Sequence, residues 1–190
     1  MIELPNIDTL IERLLLKLAQ YDPISAAHSR RVGVLAVKLA KKMGASENEL
    51  EIVHQGALLH DIGKLSIPLP LLNKESRLTA EEWAKIQTHP EKGIQILAQG
   101  DFPSTVREIV HCHHEHWVGT GYPRGLTSTE IPLMARIVSV ADGYDTGTSD
   151  RPYAKALPQN KVLKIIQGMS GEIFDPTVVA TLVELCEEGF

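Results

Sequence analysis

The sequence predicts an all-α fold of seven or eight helices, and three observations carry that reading. Apolar residues recur three and four positions apart along most of the chain, the spacing of one buried helix face. No stretch alternates apolar and polar residues with period two, as a half-buried strand would. Helix-start residues and Pro or Gly breaks punctuate the apolar stretches at intervals of about one helix.

The first helix is read from Ile7, Leu10, Ile11, Leu14, Leu15 and Leu18, with Thr9 and Glu12 as a capping box and Pro23 blocking its continuation. The second runs from about Ser25 to Met43, with Val32, Leu35, Ala36, Leu39 and Ala40 on one face and Gly44 as its C-terminal cap. Ser46 and Glu49 open the third, which ends in Leu58-Leu59-His60-Asp61-Ile62-Gly63-Lys64. Pro68 and Pro70 imply a short extended connection. Thr79-Ala80-Glu81-Glu82 opens a further helix whose expected core contacts are Trp83, Ile86, Ile94 and Leu97. Another spans about Ser104 to Glu115. Residues 116–132 hold three glycines and two prolines and read as a loop. Helical spacing resumes with Leu133, Ile137, Val138 and Ala141, and again after Pro158 with Val162 and Ile165. Asp175-Pro176 caps the last helix, to about Glu188.

A chain of 190 residues has the size of one domain. The expected division is an amphipathic helix over residues 1–21, packed on the rest or serving as a signalling or dimerising arm, and a main domain over 22–190. No apolar run approaches the roughly 18 residues that span a bilayer. The N-terminus lacks a basic start and an apolar signal core, so a cytoplasmic location is expected. Cys112 and Cys186 give no disulfide framework. A net charge of −5 argues against a surface that coats nucleic-acid polymers.

The segment around His60 has apolar flanks yet carries an imidazole, a carboxylate and an ammonium. Such groups stay buried only when paired, hydrogen-bonded or metal-bound. Eight histidines beside two cysteines shift any ligand set toward imidazole and carboxylate. The candidate ligands are His28, His60, Asp61, His89, His113, His114 and Asp142, on five predicted helices or helix ends. A bundle aims such groups inward from facing helices. Neighbours such as His60 and Asp61 lie about 100° apart on a regular helix, so both face one site only near a helix end, which Gly63 supplies. A carboxylate between two divalent ions can bridge them beside a phosphorus centre. Nitrogen-rich sites with some carboxylate suit iron, manganese, cobalt, nickel or zinc better than calcium or magnesium. Lys64, one turn beyond His60, adds a positive charge for a phosphate or a leaving oxygen. Taken singly, His28 and His89 read as surface or satisfied core histidines, His113-His114 as a solvated pair and Asp142 as a cap. His54, His111 and His116 are read as structural or as support behind the ligands. The seven together with Lys64 point to metal.

These residues also resemble a known family. His28-Ser29-Arg30-Arg31-Val32 followed by His60-Asp61-Ile62-Gly63-Lys64 is similar to the opening of HD-domain phosphohydrolases. Pro68, Leu72, Asn73 and Lys74, then His89-Pro90 and Gly93, narrow the match. His113-His114-Glu115 and Gly119-Thr120-Gly121-Tyr122-Pro123 resemble the signature of the HD-GYP subfamily. Ala141-Asp142, Thr148-Ser149-Asp150-Arg151-Pro152-Tyr153 and Phe174-Asp175-Pro176 complete a resemblance over about residues 24–188.

The resemblance implies an HD-domain-like helical bundle with a central metal site that hydrolyses cyclic di-GMP to the linear dinucleotide pGpG, lowering a bacterial second messenger. Some relatives prefer cyclic GMP-AMP. It maps the metal ligands onto the seven residues above, sets Lys64 and Arg151 against phosphate, and puts Tyr122 in a substrate-side loop. Three positions depart from the family pattern. Ile24 stands where members with a third metal carry glutamate, so two divalent ions, iron or manganese first, are expected. Val118 replaces the usual aspartate of the GYP loop. Ala154 replaces a common basic residue, for which Lys155 is the expected substitute. A weakly active binding module, meeting a diguanylate cyclase through the GYP loop, is the alternative; a general HD-type nucleotidase is a further one. A homodimer is compatible with either.

Overall fold

The computed structural model describes residues 6–150 and 155–189. Among these residues there are ten α-helices, two 3-10 segments and no strand. Two isolated bridges, Val118–Thr127 and Ser170–Phe174, are the only β-type pairing described. The helices are α1 (Ile7–Tyr21), α2 (Pro23–Lys42), α3 (Glu47–Leu59), α4 (Leu69–Leu72), α5 (Ala80–Ile86), α6 (His89–Leu97), α7 (Ser104–Cys112), α8 (Leu133–Thr148), α9 (Gln159–Gly168) and α10 (Pro176–Glu187). The all-α expectation is met, with more helices because short turns interrupt the longer ones.

Several boundaries move for identifiable reasons. The cap of α1 is Asn6, whose side chain accepts from Asp8 N at 3.0 Å, so Thr9 lies inside the helix. Asp22 caps α2 by accepting from the amides of Ile24 and Ser25, and Pro23, which has no N–H to satisfy, takes the first position. Pro68 and Pro70 lie at the start of one-turn α4 instead of in an extended link, since the first turn of a helix needs no donor from proline. The helix expected across Trp83 to Leu97 is two helices, α5 and α6. Pro90 has no N–H to give the Ile86 carbonyl, and the chain breaks there. Nothing in α5 is buried. Trp83, expected in the core, is 48% exposed.

Two apolar clusters share α2, α3 and α7. One joins Val32, Leu35 and Leu39 of α2 to Val53, Ile109, Val138 and Leu182. The other packs Ile11, Leu15 and Leu18 of α1 against Leu58, Leu59, Ile62, Leu97, Val106 and Val110. Helices α3 and α7 feed both clusters, and His60 and His113 follow their last residues. The site therefore sits at the seam between two cores.

Candidate metal centre

Three of the histidines are held in the same way. Nδ1 of His60 lies 2.7 Å from Ala57 O, that of His89 2.9 Å from Ile86 O and that of His113 2.9 Å from Val110 O. Each carbonyl lies three residues back, at a helix end where carbonyls lack intrahelical partners. The Ile86 carbonyl is the one that Pro90 cannot use. A carbonyl only accepts, so each Nδ1 carries the proton and each Nε2 presents a bare lone pair.

Those lone pairs converge. The Nε2 atoms of His89 and His113 lie 3.2 Å apart, and neither has a proton to donate. His60 Nε2 is buried with no hydrogen-bond partner. Burial, reinforced by the neighbouring rings, lowers His89 to about 4 and His114 to about 3, and holds His113 well below the usual imidazole value. Neutral imidazoles are what metal coordination requires.

His28 is set differently. Its Nδ1 lies 2.7 Å from Asp145 Oδ2 and its Nε2 2.9 Å from Asp142 Oδ1. Burial works against charge there, but the bonds to Asp142 and Asp145 outweigh it and raise His28 to about 9. Arg31 grips the same Asp145 through Nε at 2.6 Å and Nη2 at 2.9 Å. A carboxylate behind a ligating histidine fixes its ring and raises its basicity. Asp145 and Arg31, which carried no role in the sequence, join the candidate site through His28. The available signal was spacing: each stands three positions after a candidate ligand, on the same helix face.

Asp61 faces both halves of the cluster. Its Oδ1 is 3.4 Å from His89 Nε2, while its Oδ2 is 3.4 Å from His60 Nε2 and 4.0 Å from His28 Nε2. Lys64 Nζ reaches Oδ2 at 2.6 Å. Burial opposes charge on Asp61, yet Lys64, His60 and His89 outweigh it and hold the carboxyl well below the usual range. Asp142 is held low in the same manner, mainly through His28. Two groups of ligand atoms result, Asp61 with His89, His113 and His114, and His28 with His60 and Asp142, each within 4.8 Å of one another. The fit to a cation is chemical: buried lone pairs and carboxylates face each other with too few protons between them, and imidazole with carboxylate is a transition-metal donor set.

A cavity of about 630 Å³ opens over the cluster, floored by His28, Asp61 and His89, with Lys64 and Tyr122 on its wall. The Tyr122 ring stacks on His114 with centroids 4.9 Å apart, and its amide donates to His114 O at 3.1 Å. The loop behind it is pinned by buried Glu115, which accepts from the amides of Arg124 at 2.7 Å and Leu126 at 3.0 Å. Gly121 makes the fold-back fit, since a Cβ there would come within 2.5 Å of His114 O.

All seven candidate ligands thus meet at one site, with Lys64 and Tyr122 beside them. Lys155 does not join them: its side chain is 90% exposed and pairs with Asp150 at 3.4 Å. Arg151 and Ala154 lie outside the described residues. Ile24 lines the cavity mouth at 42% exposure, and Val118 is 50% exposed on the loop.

The profile of the HD domain family matches residues 13–178. The chain belongs to the HD domain family. Over 163 residues it is 40% identical to a cyclic di-GMP phosphodiesterase of Thermotoga maritima, an alignment covering 85% of this chain and 44% of that protein. Over 160 residues it is 38% identical to 3′3′-cGAMP-specific phosphodiesterase 3 of Vibrio cholerae, covering 84% of this chain and 35% of that protein. The solved structure of a cyclic GMP-AMP-specific phosphodiesterase of V. cholerae shares the fold, with TM-score 0.73 at 23% identity over 95% of this chain and 48% of that one. This HD domain spans less than half the length of those relatives. Among its described residues no helix is long and apolar enough to cross a membrane.

Proposed function

We propose that this HD domain is a metal-dependent phosphodiesterase that opens cyclic di-GMP to pGpG. The observation that carries the proposal is the converging set of proton-free Nε2 atoms around Asp61, whose two oxygens face the two halves of the cluster. Two divalent ions would suit this division: His28, His60 and Asp142 would hold one, His89, His113 and His114 the other, and Asp61, whose oxygens face both groups, would serve either. Bound there, the ions supply Lewis acidity toward the phosphate oxygens and a nucleophilic water at neutral pH.

The chain's own residues do the rest. The new oxygen–phosphorus bond forms as the bond from phosphorus to the ribose 3′ oxygen breaks, and that oxygen takes a proton. Lys64, at the cavity wall with donors to spare, is placed to meet the departing oxygen or the phosphate. Tyr122 walls the site and covers the His114 ring. Asp145 and Arg31 hold His28 against rotation. Iron or manganese is the proposed metal, on the donor set.

The test is anaerobic purification with metal analysis, followed by a timed assay on cyclic di-GMP and, because one curated relative is named for it, 3′3′-cGAMP. Intact cyclic di-GMP after hours with iron- or manganese-loaded protein would overturn the proposal. Val118, half exposed on the GYP loop, supports a second reading as a module that binds a diguanylate cyclase. Partner capture that survives His60→Ala, from a wild type without turnover, is the result expected of that reading.

A further inference from the structure

Trp83 is the feature that metal chemistry leaves unused. It belongs to none of the three core clusters, its helix buries nothing, and its indole is 48% exposed. It nevertheless lines the same cavity as the buried ligands. An exposed indole beside a polar floor is an apolar platform in want of a ligand face.

The cations on the cavity wall differ in a telling way. Lys64 is paired with Asp61 at 2.6 Å. Lys74 reaches both oxygens of Glu82 at 2.6 Å. Arg77 also lines the cavity, and among the described residues no carboxylate pairs with it. Its guanidinium is therefore available for an anion, and the planar fork suits a phosphate. The wall that carries both groups is held in shape. Glu82 closes the capping box with Thr79, accepting from its amide at 2.8 Å, and its bond to Lys74 ties the loop before α5 to the helix itself.

We propose that Trp83 and Arg77 form the subsite for the half of a cyclic dinucleotide that does not react. The indole takes a nucleobase, and the guanidinium takes the phosphate that is not cleaved. The proposal rests on the phosphodiesterase reading and deepens it: a ring with two phosphates and two bases needs anchors for both halves, and the metal floor serves one. A cavity of about 630 Å³ falls within the range of about 300–1,000 Å³ of small-ligand sites. Stacking on an aromatic side chain tolerates either purine, and anchors for a second base and a second phosphate favour dinucleotides over mononucleotides.

The experiment compares Trp83→Ala, Trp83→Phe and Arg77→Gln in the manganese-loaded 190-residue chain. Two substrates are used, cyclic di-GMP and bis(p-nitrophenyl) phosphate, which has one phosphate and no second half. Trp83→Ala and Arg77→Gln are expected to raise KM for cyclic di-GMP by roughly fivefold or more with kcat little changed. Hydrolysis of the nitrophenyl diester should stay within about twofold, and Trp83→Phe should recover most of the loss. Tryptophan fluorescence gives a readout free of turnover. The chain has two tryptophans, so Trp117→Phe isolates Trp83, whose quenching by cyclic di-GMP is read in a stopped-flow mixer before turnover. KM values at wild-type level in both variants, or equal losses on both substrates, would overturn the subsite. If wild type fails to cleave cyclic di-GMP, the phosphodiesterase reading falls. Saturable quenching weakened by Arg77→Gln would then still support the subsite, and no quenching would overturn it.

Discussion

His28 differs from the other histidines in leaning on a carboxylate, and that carboxylate is itself bound by Arg31 at 2.6 and 2.9 Å. Replacing Asp145 with Asn keeps the shape and removes the charge behind the ring. Metal affinity should fall about 10- to 100-fold, the usual cost of losing such a partner; competition with a fluorescent chelator measures it, and unchanged affinity would show that His28 orients itself. Lys64 poses the complementary question, because it touches Asp61 rather than any candidate ligand's ring. Lys64→Met should leave metal content intact and lower kcat by roughly 100-fold, the lower end of what proton transfer contributes. Loss of metal in that variant would recast Lys64 as a charge that merely holds Asp61. The candidate ligands were legible in the sequence, since imidazoles and carboxylates beside Leu58, Leu59 and Ile62 are expensive to bury without a purpose. Asp145 was not, because a carboxylate one turn past Asp142 looks like a surface acid until α8 is laid against α2.

Helix α3 shows how differently the two ends of one element act. Its start is local chemistry: Ser46 and Glu49 form both bonds of a capping box, which four residues of sequence announce. Ser46→Ala should cost about 1 kcal/mol, lowering Tm by about 2–4 °C for a domain of this size, with metal content unaffected. Its end is tertiary. A Cβ on Gly63 would lie 1.8 Å from His89 O and 2.6 Å from Gly93 N, so the 3-10 segment Ile62–Ser66 touches α6 backbone to backbone. Gly63→Ala must separate Asp61 from His89, and we expect a loss of about 3 kcal/mol together with metal binding. Calorimetry with metal analysis would tell the two ends apart. The break between α5 and α6 lies between these extremes. Trp83, Ile86, Ile94 and Leu97 keep helical phase across it, so periodicity alone joins the two helices, while Pro90 alone marks the gap. Phase also hides direction, which is why Trp83 read as core when it faces a cavity.

At the scale of the molecule, the site is a seam where polar groups crowd between two apolar clusters, and cation binding should stabilise the whole fold. At free metal about 1,000 times Kd the gain is about 4 kcal/mol, so chelation should lower Tm by roughly 8–16 °C, and equal melting with and without metal would contradict a built site. The same architecture bears on the first helix. Ile11, Leu15 and Leu18 of α1 are each no more than 3% exposed, packed against Leu58, Leu59 and Ile62, the residues that carry His60 and Asp61. The Tyr21 hydroxyl adds a bond of 2.6 Å to Ile67 O, just past the 3-10 segment. Each such aliphatic side chain contributes about 1.5–3 kcal/mol by its burial. Three together rival the whole stability of a domain, about 5–15 kcal/mol. Removing residues 1–21 should therefore unfold the second cluster and abolish metal binding, seen as lost cooperative melting and rising aggregation in light scattering. A detachable arm would behave otherwise: the shortened chain would melt as before, hold its metal, and change only in mass.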